Sequence, residues 1–176
     1  WPAFLLAAGL PLPDRVYAHG WWLKDETKMS KSRGNVINPH VLLNHFGSDA
    51  VRYFLLREIP FGGDGNFSYE ALIHRVNSDL ANDFGNLASR TLTLISRHIG
   101  DIIPNPSADQ LSSTLEKEVQ NRAVLTIELY QKYMDELAFS KALEAIWELL
   151  SRTNKYINES APWRLSKDPA QRSRLG

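Results

Sequence analysis

Lys28-Met29-Ser30-Lys31-Ser32, continued by Arg33-Gly34-Asn35, is the stretch that decides how this chain is to be read. Two lysines and two serines fall within five residues, with Lys24 upstream and Pro39 downstream. Gly34 and Asn35 both tolerate positive φ, so the segment predicts a loop. A lysine is a compact point charge with three donors and suits phosphate oxygens. Serine hydroxyls and loop amides supply further donors. A solvated, charged turn is the plain alternative that composition alone would support.

Outward from this loop the chain divides in two. Trp1 to Leu10 is apolar and alanine-rich and is expected to be the end of a buried helix stopped at Gly9. Arg15–His19 and Trp21–Lys24 are expected as short strands around Gly20. Asn38 and Pro39 predict a helix start, as N-cap and first helical residue, with Val41, Leu42, His45 and Phe46 lining one side. Ser48 or Asp49 is expected to cap the next helix, whose Val51, Phe54 and Leu55 recur at helical spacing. Ile59 to Gly65 is the strongest loop signal, and a domain boundary is expected on its far side, giving units 1–65 and 66–176.

The second unit predicts long helices. Ala71 to Arg97 has no proline, and Leu80, Phe84, Leu87, Thr91, Leu94 and, just beyond it, His98 follow the 3.6-residue period. Pro104-Asn105-Pro106 breaks the pattern. Leu111 to Met134 follows, with Val119, Ala123, Ile127, Tyr130 and Met134 as its stripe. Phe139 to Ile157 places Leu143, Ile146, Trp147 and Leu150 inward. The expected fold class is therefore mainly α: a small α/β subdomain holding the loop, then an antiparallel helical bundle.

Composition narrows the function classes. Twenty Lys plus Arg balance twenty Asp plus Glu, which argues against a generally basic nucleic-acid binder but leaves room for a local patch. The absence of cysteine excludes disulfides and thiolate metal sites, and fits a cytoplasmic protein. His45 and His74 lack metal-ligand spacing, so no metal-binding residue is assigned. No apolar run is long enough to span a membrane, and no signal peptide is evident. The abrupt start at Trp1 and end at Gly176 are expected to be cuts in a longer protein.

The residues 28–32 resemble the signature loop of class I aminoacyl-tRNA synthetases, and 33–37 its usual continuation. Trp1 to Pro13, Ala18-His19-Gly20-Trp21-Trp22, Asn66-Phe67-Ser68-Tyr69-Glu70, Asn77 to Asn82, Gly85-Asn86-Leu87, Asn154 to Asn158 and Ala161-Pro162-Trp163 are similar to the methionyl-tRNA synthetases in particular. That resemblance implies the carboxy-terminal portion of such an enzyme, with a stem-contact subdomain in residues 1–65 at the end of the catalytic domain and a truncated anticodon-binding domain in 66–176. It implies ATP-dependent activation of methionine and its transfer to tRNA(Met), with Mg²⁺ on the phosphates and zinc only in the part of the parent not represented. Lys28, Met29, Ser30, Lys31 and Ser32 would meet ATP, with Lys28 and Lys31 catalytic. Asn86, Arg90 and Trp163 would read the CAU anticodon. Trp1 would line the methionine pocket, and His19 would face either the nucleotide or a packed turn.

Asn86 and Arg90 share a helical face, which Asn82, Thr93 and Arg97 extend. Asn, Arg and Trp suit splayed, stacked bases; a solvated stripe and a core tryptophan are the plain readings. His98-Ile99-Gly100-Asp101 nearly spells the other class I signature, but it ends in Asp and follows the lysine–serine loop; it is expected to be a helix end. The isolated chain, without the half that carries the first signature, is expected to be inactive, and that amino-terminal catalytic half is its expected partner. A non-catalytic tRNA-binding module and a class I synthetase for another aliphatic amino acid are the alternatives.

Overall fold

A computed structural model describes residues 1–100 and 113–167. Its sheet has three short strands, with the first in sequence at the centre. Strands β1 (Trp22–Lys24) and β2 (Thr27–Lys28) form an antiparallel hairpin, pairing Leu23 with Lys28 and Lys24 with Thr27. Asp25 and Glu26 at its tip both have positive φ, as a two-residue type I′ turn requires. Strand β3 (Gly65–Phe67) lies parallel to β1, opposite Trp22, Leu23 and Lys24. Gly20 permits the approach of the two segments, because a Cβ there would fall 2.0 Å from the Gly63 carbonyl oxygen.

Helices fill the crossover between β2 and β3. Helix α2 (Pro39–Phe46) starts as the sequence predicts: the Asn38 side chain accepts from the His40 N–H at 3.0 Å, and Pro39 occupies the first turn. Helix α3 (Ser48–Arg57) begins after Gly47, and neither Ser48 nor Asp49 caps it; the Ser48 hydroxyl bonds the Asp49 carboxylate instead. Helix α1 (Pro2–Ala7) stops before Gly9, whose φ is 69°, but its apolar residues Phe4 and Leu6 are exposed, not buried. Arg15–His19 forms no strand.

From residue 69 to 98 the backbone is helical throughout: α4 (Tyr69–Arg75), a π-helical segment (Val76–Gly85) and α5 (Asn86–His98). The Ser68 side chain caps α4 by accepting from the Ala71 N–H. The wider π turn resets the phase of the helix. Phe84, expected inward, is therefore 52% exposed, while Asp79 and Leu87 are buried. Helices α6 (Thr114–Asp135) and α7 (Phe139–Ser160) pack as an antiparallel hairpin, and α8 (Pro162–Leu165) follows. On α6 the buried residue is Thr126, whose hydroxyl donates to the Ala145 carbonyl; Ile127 and Tyr130, expected inward, face out. Pro104-Asn105-Pro106 and Leu111 lie outside the described residues.

The expected fold class is corrected by where the core sits. Leu42, Val51, Phe54, Phe67 and Leu72 form one buried cluster, with Trp22, Met29, Ile37, Phe46, Ala71 and Val76 packed against it. Leu72 and Val76 belong to the helical run beyond residue 68, yet they bury their side chains against the sheet and α3. That run therefore packs first on the sheet's core, and the only long antiparallel pair among the described residues is α6 with α7. Local periodicity could not foresee this, since the decisive pairing joins β1 to a three-residue strand more than forty positions away. Phe54→Ala, at a site with 0% exposure, should cost about 3–5 kcal/mol in denaturant unfolding, against within about 0.5 kcal/mol for Leu92→Ala on the surface.

Candidate functional site: a lysine–serine loop and a polar cleft

The loop grows directly out of β2. Lys28 ends the strand, and the Met29 side chain turns inward against the buried cluster. Met29 is thus an anchor of the loop. Lys31–Arg33 form one 3₁₀ turn, closed by Gly34 in the left-handed region at φ 67°. That reversal brings the Asn35 side chain back across the loop. Its Oδ1 accepts from the Ser30 N–H at 2.8 Å, and its Nδ2 donates to the Lys28 carbonyl and the Thr27 hydroxyl at 3.3 Å each. Ser30 and Ser32 share a hydroxyl–hydroxyl bond of 2.8 Å.

The two lysines differ in setting. Lys28 Nζ sits 3.9 Å from the centroid of the exposed Trp21 ring, a cation–π contact. Lys31 and Ser32 are exposed. The loop so presents cations and hydroxyls on one side and a hydrophobic plug on the other. His19 Nδ1 lies 2.7 Å from the Gly20 carbonyl, and its ring lies 6.0 Å from that of Phe61. Trp1 is 63% exposed at the start of α1.

The second feature is a cleft of about 600 Å³ between the π segment with α5 on one wall and α7 on the other. Asn82, Asp83, Asn86, Ser89 and Arg90 face Ser151, Asn154 and Asn158. Asn86 Nδ2 donates to Asn82 Oδ1 at 2.9 Å. The Arg90 guanidinium donates to Asn154 Oδ1 at 2.7 Å and to Asn158 Oδ1 at 3.1 Å, while its buried Nε has no partner. Asn86 and Arg90 are thus brought together as their spacing predicts. Thr93 and Arg97 lie beyond the cleft, and Trp163, 39% exposed on α8, does not line it. The sequence reading missed Asn154 and Asn158 as site residues, although their four-residue spacing mirrors that of Asn86 and Arg90. His98 ends α5, and Gly100 at φ 85° closes it, as expected of a helix end; Asp101 is outside the described residues.

A half-buried polar cluster around the buried Asp79 holds the cleft wall in place. The Tyr53 hydroxyl donates to Asp79 at 2.6 Å, Arg75 pairs with both Asp79 and Glu58, and the Tyr53 ring stacks 4.7 Å from Trp147 of α7. Burial, reinforced by the bond to Asp79, pushes the Tyr53 phenol well above its ordinary value of 10.0. The neutral phenol is the form the fold requires. Its contribution to stability is complete below about pH 10 and is lost as pH rises further. Thermal unfolding followed from neutral to strongly alkaline pH should show a loss of stability above about pH 10 that Tyr53→Phe diminishes.

Comparison with known proteins adds the family. The model of class I tRNA synthetases (M) matches residues 1–92. The methionine–tRNA ligase of Caldanaerobacter subterraneus subsp. tengcongensis is 53% identical over the whole chain, and that of Clostridium perfringens 51%. The chain spans only 27% of the length of each. A methionyl-tRNA synthetase of Mycobacterium tuberculosis, solved bound by methionyl-adenylate, superposes with a TM-score of 0.85 at 43% identity, over 99% of this chain and 34% of that one. The family match runs through the sheet and on along α4, the π segment and half of α5. This completes the correction of fold class: the small sheet and its helices form one synthetase unit, rather than a short subdomain with a separate anticodon bundle appended. The matches likewise do not support the finer placement as the enzyme's carboxy-terminal portion. By sequence over residues 1–92 and by fold over nearly its whole length, the chain belongs to the methionyl-tRNA synthetase family of class I.

Proposed function

We propose that this chain works as part of a methionine–tRNA ligase, in which ATP activates methionine as an adenylate and the aminoacyl group then passes to tRNA(Met). The observation that carries the reading is the lysine–serine loop, fixed to the core by Met29 and open to solvent at Lys31. Lys28 and Lys31 would meet the triphosphate, with Ser30 and Ser32 as neutral donors. As methionine attacks the α-phosphate, negative charge grows on the departing pyrophosphate. Preorganised ammonium groups lower the barrier by stabilising that charge. Mg²⁺ would neutralise phosphate charge when bound with ATP; among the described residues no group of three or more His, Cys, Asp or Glu side chains stands ready to hold an ion.

The polar cleft would take the anticodon. It offers amide donors and acceptors from Asn82, Asn86, Asn154 and Asn158 around one guanidinium, the equipment for reading Watson–Crick edges of unstacked bases. Trp163, exposed on the short helix after α7, would stack a base from beside the cleft. The Arg90 fork is already held by two asparagines, so little ordering would remain to be done on binding.

Two variants of the full-length enzyme test both halves of this reading. Lys31→Ala should slow methionine-dependent pyrophosphate exchange by about 100-fold or more, the cost of one lost transition-state donor. Arg90→Ala should leave exchange within about twofold and lower tRNA charging about tenfold or more, the scale of a hydrogen bond to a charged group. Normal exchange in Lys31→Ala would overturn the loop assignment. Equal loss of both steps in Arg90→Ala would overturn the anticodon assignment.

A further inference from the structure

The loop must hold two flexible ammonium groups in one fixed relation, and neither lysine does this for itself. The backbone between them is short and lacks a regular ladder. Asn35 is the side chain that crosses it. We propose that Asn35 is the positioning residue of the loop: its carboxamide clasps the end of β2 to the entry of the 3₁₀ turn, so that Lys28 and Lys31 face a nucleoside triphosphate as a pair. The inference rests on the functional reading above and adds to it a residue that touches no substrate.

The hydrogen-bond chemistry selects an amide. The Thr27 hydroxyl has one proton, and it donates that proton to the Lys24 carbonyl at 2.9 Å. Its oxygen is left to accept from Asn35 Nδ2, which also donates to the Lys28 carbonyl. Both groups facing Nδ2 are acceptors, and the group facing Oδ1 is the Ser30 N–H. An aspartate has the same shape but would set an oxygen against two acceptors, and would add a negative charge beside both lysines. A single amide therefore ties Lys28's own carbonyl to the residue that precedes Lys31. Gly34 makes this possible, since its left-handed φ of 67° turns the chain back. Met29, between the clasped points, packs against the buried cluster and tethers the loop to it.

Misplacing reacting groups by about 1 Å costs on the order of 100-fold in rate. In the full-length enzyme, Asn35→Ala and Asn35→Asp should lower kcat of pyrophosphate exchange about tenfold or more, with KM for methionine and melting temperature close to those of the parent. Thr27→Val should lose part of the rate, Thr27→Ser should keep it, and Thr27→Val with Asn35→Ala should be no slower than Asn35→Ala alone, because both act on one clasp. An unchanged kcat in Asn35→Ala, or a loss matched by equal losses of methionine affinity and melting temperature, overturns the proposal. Lys31→Ala in the same assay separates the two claims. If it is impaired while Asn35→Ala is not, the loop's role stands and the clasp falls. If it too is unimpaired, the functional reading falls and takes this inference with it.

Discussion

The Phe54 ring is wholly buried between Trp22 and Phe67, with centroids 5.7 and 5.6 Å away. Edge-on and tilted aromatic packing of this kind fixes orientation as well as burying area. It seats helix α3 on the sheet, and the sheet carries the loop. Tyr53, its neighbour in sequence, points from another face of the same helix, about 100° around, where it bonds Asp79 and packs its ring against Trp147. Helix α3 is therefore the piece to which both features are attached. Its sheet side supports the lysines, and its Tyr53 face supports the π segment and α7, which wall the polar cleft.

The two features solve opposite electrostatic problems. In the loop, like charges are held within a few residues and kept exposed, so water screens them; on the proposed reading a polyanion would take over that role. Lys28 rests on the Trp21 face, which leaves its charge intact, while Lys31 is left to solvent. In the cleft, two neutral amide oxygens accept hydrogen bonds from one guanidinium without cancelling its charge, and Asp83 adds a carboxylate to the lining. That environment favours recognition by hydrogen-bond pattern over simple attraction to phosphate. Net neutrality of the whole chain fits this division, because neither feature needs a generally basic surface.

Features set by nearby residues were legible in the sequence. The loop follows from Lys28 to Asn35, the start of α2 from Asn38 and Pro39, and the shared face of Asn86 and Arg90 from their spacing. Features set by distant partners were not. Nothing local shows that Gly65–Phe67 pairs with Trp22–Lys24, or that Arg90 meets Asn154 and Asn158. Phe84 was misplaced because a 3.6-residue period fails across the π segment. Ile127 and Tyr130 were misplaced because α6 buries a narrow stripe against α7, centred on Thr126. Trp163 was singled out by resemblance to a family motif; it lies 39% exposed on α8 and is not among the residues that line the cleft.

The central claim is that this loop meets the phosphates of ATP, and the lysines themselves can report it. An acyl-phosphate derivative of ATP transfers its acyl group to a lysine amine lying at the terminal phosphates. With the full-length enzyme, peptide mass spectrometry should find the label on Lys31 or Lys28, and excess ATP with methionine should abolish it. Labelling that avoids both lysines, or that ATP fails to suppress, would contradict the account.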